Sequence, residues 1–461
     1  MTGINLVLTA LFLLVSILTV SLVSKANRWK ALLAVSFIFY YLLIGSKIWL
    51  VLLLSGITFL SGKFIHTKRF SFWLPLVLLL IPFTIFKFTA DGHHFENFRI
   101  QSLDSFDAEN WQSIFQILGL SYFTFNSISY LMDVKRKYLP PEKNFFFLLL
   151  YLIYFPAIFS GPLHRAKYLF EQFKNIEVSN DSITRGSRLI LWAMFKNIII
   201  AQRLFVLIVQ LQQSEISGPY YLLIGVLFFI YLYCNFSSFI DFFQGVSQML
   251  NIRLKNNFGN RVYLSSSRQE FWKSWHITLN EWFRDYFFFV ISRYDKKRKY
   301  TDIFLLITFL MIALWHEVSM AILLWGTLNG FWIVIEKKIP FKKWPQNGIR
   351  KFTGTIYHLA VSSILAVVFI SPNLKGLFDK LFNHAAQLPR NFIGDYFVKI
   401  MILLVCLAIM DFHYAKAKNN RFDDYIGSKP KVARWFIYFK LTILILVFGM
   451  SAGVENYYIQ F

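Results

Sequence analysis

The sequence predicts an all-α, polytopic integral membrane protein, with about 10–12 membrane helices plus re-entrant or interfacial helices. Three observations predict it. Of 461 residues, 56% are hydrophobic and only 16% are charged, more apolar surface than a soluble chain of this length can hide. Apolar runs near the ~18–20 residues that span a bilayer recur along the whole chain. Short basic clusters separate them, as cytoplasmic loops do under the positive-inside rule. These are Lys25–Lys30, Lys63–Arg69, Lys135–Lys143, Arg165–Arg188, Arg253–Lys299, Lys337–Lys351 and Lys416–Arg434. The net charge of +23 is thereby explained without nucleic acid, which is not expected as a partner.

The elements follow in order. Ile4–Ser24 lacks both a preceding basic segment and a small-residue cleavage pattern, so it reads as a retained helix. Ala31–Gly62 is too long for one span and predicts a helical hairpin near Gly45. Phe70–Ala90 leads out to the acidic stretch Asp91–Trp111, read as extracytoplasmic, and Ser113–Asp133 returns. Phe145–His164 has basic flanks on both sides and two prolines, Pro156 and Pro162, so it reads as re-entrant or broken. Leu189–Leu211 and Pro219–Leu250 are spans joined by the extracytoplasmic Gln212–Gly218. Asn251–Lys299 is polar yet dense in Trp and Phe, which predicts interfacial or re-entrant helices. Thr301–Ile335 again exceeds one span, with Gly326 and Gly330 as candidate breaks. Thr355–Ser371, Val398–Tyr414 and Trp435–Met450 complete the set; the stretch around Pro372–Tyr396 and the C-terminal tail are placed outside.

Two histidines stand in aromatic sequence: His276 in Phe271-Trp272-Lys273-Ser274-Trp275-His276, and His316 in Leu314-Trp315-His316-Glu317. Ionisable groups at membrane depth are costly and tend to be functional, and imidazole suits proton transfer near neutral pH. His316 lies between two apolar runs, where desolvation favours the neutral base. Around His276, one continuous helix would put Trp275, Trp282 and Tyr286 on one face and His276 beside Asn280 and Lys273. Arg284-Asp285 reads either as a headgroup anchor or as a polar wall around a reacting group. Asp241 ends an apolar run and would pair with an arginine, hold a histidine tautomer, or simply be a satisfied polar group near the interface. Lys47, Lys87, Lys196 and Arg203 are expected to snorkel to headgroups. His93, His94, His384 and His413 are expected in solvated positions. Glu317 follows a histidine, yet Met320 stands where a zinc-binding His-Glu-x-x-His motif needs its second histidine, so no metal site is expected. Cys234 and Cys406 read as buried thiols.

Taken together, these residues resemble the bacterial membrane-bound O-acyltransferases. The first block is Phe271–Leu279 followed by Trp282-Phe283-Arg284-Asp285-Tyr286; the second is Leu314-Trp315-His316 followed by Leu324–Gly330. Leu120–Phe125, Ser129–Val134, Ser160-Gly161-Pro162 with Arg165, Tyr263-Leu264-Ser265 and the closing Asn456–Phe461 are similar to further family segments, the last to alginate O-acetyltransferase membrane subunits. The resemblance implies a single membrane-embedded acyltransferase domain over 1–461, with N-terminal helices over 1–117, a catalytic core over 118–335 and C-terminal helices over 336–461. It implies a central cavity or tunnel through the membrane, with His316 inside it as the catalytic residue and His276 as its partner. Trp275, Asn280, Arg284, Asp285, Trp315, Glu317 and Asp241 are the candidate substrate-binding residues. No permanent cofactor is implied, only an acyl thioester donor, acetyl-CoA or an acyl carrier protein, on the cytoplasmic side. The acceptor would be a hydroxyl of an extracytoplasmic polysaccharide, reached through a separate extracytoplasmic transferase, and the location a bacterial cytoplasmic membrane.

Two departures are visible. Members of the family usually carry glycine where Glu317 stands. Their Pro-Leu-Gly-Gly after the Arg-Asp block is replaced by Phe287–Arg293, closer to the teichoic acid D-alanyl transferase. The competing expectations are D-alanyl transfer from a carrier protein to teichoic acid, and a transporter or flippase whose histidines line a proton path.

Overall fold

The computed structural model describes residues 6–65, 72–89, 119–158, 162–339, 348–371, 373–418 and 420–449. Within them the chain is helical, apart from loops and one isolated antiparallel bridge between Ser217 and Gln387. The acidic stretch 91–111 with His93 and His94, Ser160-Gly161, and the closing Asn456–Phe461 lie outside the described residues.

This is a multi-pass membrane protein. Among the described residues, five segments are long and apolar enough to cross a bilayer: Lys25–Phe64, Asn180–Gln212, Gly218–Met249, Gly348–Phe369 and Phe392–Ala417. Phe12–Leu22, Trp73–Ile85 and Thr301–His316 are shorter apolar helices. Leu42, Trp73, Phe397, Phe436 and Leu446 are exposed on the outside, as side chains bathed in lipid would be.

We number the helices α1 (Leu6–Leu22), α2 (Arg28–Ile44), α3 (Ile48–Phe64), α4 (Trp73–Thr89), α5 (Leu120–Lys135), α6 (Phe145–Ile153), α7 (Asn180–Gln212) and α8 (Gly218–Met249). Then come two short helices, α9 (Arg268–Ser274) and α10 (Ile277–Trp282), followed by α11 (Thr301–His316), α12 (Met320–Lys338), α13 (Gly348–Phe369), α14 (Phe392–Ala417) and α15 (Lys431–Phe448).

The expected breaks at Gly45 and before Pro156 are present. α2 ends at Gly45, whose φ of 58° suits glycine and turns the chain into α3. α6 ends at Tyr154 (ψ 106°), just ahead of Pro156, and residues 147–158 are buried throughout. Irregular backbone at this depth is tolerated because protein surrounds it.

The third break lies elsewhere than expected. α11 and α12 form a hairpin whose turn is Glu317–Ser319, not Gly326 or Gly330. Ser319 caps α12 by accepting from the Ile322 amide (3.3 Å), and Lys337 pairs with Asp302 at the open end. Gly326 serves packing instead: a Cβ there would lie 2.5 Å from the Ala313 Cβ and 2.8 Å from the Phe309 carbonyl oxygen. The glycine is what lets the two legs approach.

Loops assigned to the same face meet. Ser217 and Gln387, both read as extracytoplasmic, bond through their backbones. Arg185, Arg253 and Arg421, all in basic loops, converge on Asp423 and Asp424. Cys234 and Cys406 are buried free thiols.

Replacing Gly326 with valine is expected to cost about 1–3 kcal/mol by prying the hairpin apart. The lipid-facing neighbour variant Thr327→Val is expected to be near neutral. Thermal unfolding in detergent measures both, and equal effects would refute the close-approach account.

Candidate active site at a buried hairpin tip

α11 is sixteen residues long and rises about 24 Å from the basic loop before it, carrying His316 deep into the protein. His316 is 6% exposed and Glu317, in extended conformation, is equally buried. The tip is held from α4: the Lys87 ammonium donates to the His316 carbonyl at 2.8 Å, and the Glu317 carboxylate is within electrostatic reach of the same ammonium. Lys87 therefore does not snorkel. Its depth, fourteen residues into α4, matches that of the tip.

The His316 imidazole packs edge-on against Trp325 (5.5 Å) and Phe369 (5.6 Å). It lines a cavity of about 50 Å³ together with Trp272, Trp275, Trp325, Phe369 and Arg268. The predicted residue Trp275 is thus placed in the same wall as His316.

His276 arrives by a different device. α9 stops at Ser274, and His276 adopts φ 45°, ψ 52°, a left-handed conformation that costs a non-glycine residue of order 1 kcal/mol. The expected continuous helix is broken here, and the register of Trp275 against Trp282 is lost. The kink is held by Asn257, whose carbonyl accepts from the Ile277 amide (2.9 Å). The Asn257 side-chain oxygen accepts from both the Thr278 amide (3.0 Å) and hydroxyl (2.8 Å). With its oxygen engaged there, the Asn257 amide nitrogen faces His276 Nδ1 at 3.3 Å. Nδ1 then accepts, the ring proton sits on Nε2, and Nε2 faces the Tyr122 hydroxyl at 3.4 Å. In this tautomer His276 is a donor rather than a base.

Trp315 joins the two histidines. Its ring lies 4.5 Å from the His316 ring and 6.0 Å from the His276 ring. Phe125 and Tyr122 pack on its other sides at 6.2 Å.

The remaining candidates separate from this centre. Asn280 donates to the Trp272 (2.7 Å) and Trp275 (2.6 Å) carbonyls, so it ties α10 back onto α9. Asp285 lines a second cavity of about 480 Å³, where Arg165 bonds to Asp285 and to the Tyr286 hydroxyl, while the exposed Arg284 pairs with Asp285 at 2.7 Å. Among the described residues Asp241 meets neither an arginine nor a histidine, and it stands as a satisfied polar group. It pairs with Lys196 at 2.8 Å, and that lysine, with no exposed surface, also donates to Ser237 (2.7 Å). Lys196, like Lys87, corrects the snorkelling expectation. Asp241 lines a third cavity of about 30 Å³ that reaches Asn257, and so the support of His276.

His413 is likewise not solvated: it is buried 2.9 Å from the Lys440 ammonium, whereas His384 is exposed as expected. His164, which the sequence did not single out, accepts from the Lys255 amide at 2.9 Å. Burial, with the Lys255 charge beside it, pushes that imidazole down to about 3, so it stays a neutral structural acceptor.

A buried polar cluster behind the first cavity was also missed. The Arg268 guanidinium donates to Ser362 (2.8 Å) and Asn329 (2.8 Å), while Glu336 accepts from the amides of Arg268 (2.7 Å) and Gln269 (3.0 Å). Its sequence signals, Asn329 and Glu336 inside an apolar helix, were visible but unread.

A buried imidazole at an aromatic cavity, with a second imidazole fixed one ring away, is an arrangement that can support proton transfer in an apolar setting. The sequence profile of the membrane-bound O-acyltransferase family matches residues 59–341, which contain both histidines. The chain belongs to this family. It is similar to the probable alginate O-acetylase AlgI of Pseudomonas syringae pv. tomato, 30% identical over 56% of this chain and 49% of the relative. It is 29% identical to the protein of the same name from Pseudomonas aeruginosa, over 67% of this chain and 60% of the relative. The teichoic acid D-alanyltransferase of Bacillus subtilis is 23% identical over 64% and 74%. The matches span about half to three fifths of the length of the two alginate relatives.

Lys87→Met is expected to leave the His316 carbonyl without its donor and to cost about 1–3 kcal/mol. Amide hydrogen exchange at Val318 and Ser319 should rise while the rest of α11 keeps its protection. Unchanged exchange at the tip would show that Lys87 does not hold it.

Proposed function

We propose that the protein is an O-acyltransferase of a bacterial cytoplasmic membrane. It takes an acyl group, acetyl by analogy with its alginate relatives, from a cytoplasmic thioester. The group passes to a hydroxyl of an extracytoplasmic polysaccharide or to a partner protein that completes the transfer. The observation that carries this reading is His316 at a buried hairpin tip, facing an aromatic cavity with His276 one tryptophan away.

His316 acts as general base on the acceptor hydroxyl. The freed oxygen attacks the thioester carbonyl, the C–S bond breaks, and the thiolate takes the proton back from the imidazolium. His276, with its proton on Nε2, orients the Tyr122 side of the site rather than accepting a proton. The aromatic walls limit loss of the thioester to water. No resident cofactor or metal is required for these steps.

D-alanyl transfer from a carrier protein to teichoic acid is the second reading. It is favoured by Phe287–Arg293 after the Arg-Asp pair and by the extent of the match to the Bacillus subtilis relative.

His316→Ala is expected to lower acyl transfer about 10²–10⁴-fold. His276→Ala should lower it less. Mass spectrometry of cell-surface glycans, with and without each variant, reads the transferred group and its amount. Acyl transfer that survives His316→Ala undiminished would refute the base assignment. A pH-gradient-driven flux without any acylation would replace the enzyme reading with a transporter.

A further inference from the structure

We propose that Arg268 sets the charge of the transferred group: the buried guanidinium in the wall of the His316 cavity admits a short, uncharged acyl chain and rejects an aminoacyl one. The proposal rests on the acyl-transfer reading above and names the class of acyl group that its site accepts.

Placement comes first. Arg268 opens α9 and is 2% exposed, yet it lines the same cavity as His316. A chain of contacts separates the two. The His316 ring meets Trp325 at 5.5 Å, and Trp325 meets Trp272 at 6.1 Å. The Trp272 indole N–H donates to the Asn329 side-chain oxygen at 3.2 Å, and that oxygen also accepts from Arg268 at 2.8 Å. With a thioester carbonyl at His316, the acyl chain runs along the tryptophans toward the guanidinium. The cavity, about 50 Å³, has room for a short chain and no more.

Charge comes second. The guanidinium is held but not neutralised. Its terminal nitrogens donate to Ser362 (2.8 Å), Asn329 (2.8 Å) and His358 Nδ1 (3.4 Å). An imidazole nitrogen that accepts carries no proton, so all three partners are uncharged. The Arg268 Nε is buried and has no hydrogen-bond partner among the described residues. The Glu336 carboxylate attracts the group electrostatically, but both of its oxygens are engaged elsewhere. One accepts from the Arg268 amide (2.7 Å) and the Tyr357 hydroxyl (3.0 Å), the other from the Gln269 amide (3.0 Å). Glu336 thus caps the start of α9. Among the described residues that line the cavity there is no carboxylate.

Two effects then compete over an acyl group that carries an ammonium. Aromatic walls alone would attract it. Arg268 already lies over the Phe271 ring at 4.2 Å and takes up that attraction itself. In so small a cavity a second cation would stand on the order of 6 Å from the first, where repulsion at an effective dielectric of about 20 lowers binding about a hundredfold. Repulsion wins, and the guanidinium decides which acyl groups enter.

The test uses two donors of equal shape, S-isobutyryl- and S-D-alanyl-N-acetylcysteamine, in which a methyl replaces an ammonium. The full-length protein is assayed below about pH 7, where the alanyl amine is protonated. In the wild type, kcat/KM should favour the isobutyryl donor about a hundredfold. Arg268→Met should bring the two within about threefold, because the aromatic walls then welcome the ammonium. Arg268→Lys should keep the wild-type preference. Ser362→Asp, which sets a carboxylate beside the guanidinium and leaves Arg268 in place, should also reduce the preference, and it decides the matter if Arg268→Met does not fold. A wild type that uses the two donors alike, or a preference that survives both Arg268→Met and Ser362→Asp, would overturn the proposal. If the wild type used no thioester at all, the acyl-transfer reading would fall. Calorimetry with the unreactive ketone analogues of the two donors would still decide the cavity: tighter binding of the uncharged analogue supports the proposal, and equal binding or none overturns it.

Discussion

Everything at the centre of this protein depends on keeping interrupted backbone satisfied where water is absent. A helix that stops at membrane depth leaves carbonyls and amides that lipid cannot bond. Among the described residues, helices stop at Trp275-His276 and at His316–Ser319 beside the histidines, and each interruption is answered from another element. Asn257 holds the first through the Ile277 amide and the Thr278 side chain. Lys87 holds the second through the His316 carbonyl, and Ser319 restarts the helix. Both histidines sit at these interruptions, and His316 faces the aromatic cavity from one of them.

The two interruptions produce unequal histidines. His276 is locked by a strained backbone and a fixed asparagine, which settles its tautomer. His316 is carried on a hairpin end and opens onto the aromatic cavity. Trp315 separates the rings while keeping them adjacent. Around them lie further polar groups, among them Lys87 and Glu317 at the hairpin tip, Arg268 behind the aromatic cavity, the Arg165–Asp285 pair, and the Lys196–Asp241 pair behind Asn257. Buried charges of this kind persist when each finds a partner, and each of these does.

Much of the architecture was legible because it follows from hydropathy and from residues that break helices. The spans, the turn at Gly45 and the interruption before Pro156 all carry such local signals. The hairpin turn was misplaced because Gly326 and Gly330 look like breaks, yet glycine in a membrane helix also permits close packing. Ser319, a helix-capping residue ahead of an apolar run, was the better signal. Lys87, Lys196 and His413 were misread for a common reason. A sequence gives depth along one helix but not the partner on another, and Lys87 meets His316 across 229 positions. Asn280 and Asp241 were picked out by type, and the structure places them as a backbone tie and an ion-pair partner. Trp275 lies in the wall of the His316 cavity, and the aromatic density around His276 in the sequence reflects that wall.

The central claim is that a thioester enters from the face bearing Arg136 and Arg165 and gives up its acyl group at His316, partway through the membrane. Sealed proteoliposomes of uniform orientation test it directly, with labelled acetyl-CoA or acetylated carrier protein, neither of which crosses the bilayer, supplied on one side at a time. The account predicts acyl transfer to an acceptor on the opposite side only when the donor meets the Arg165 face. Transfer supported equally from both faces, or only from the face bearing Ser217 and Gln387, would contradict it.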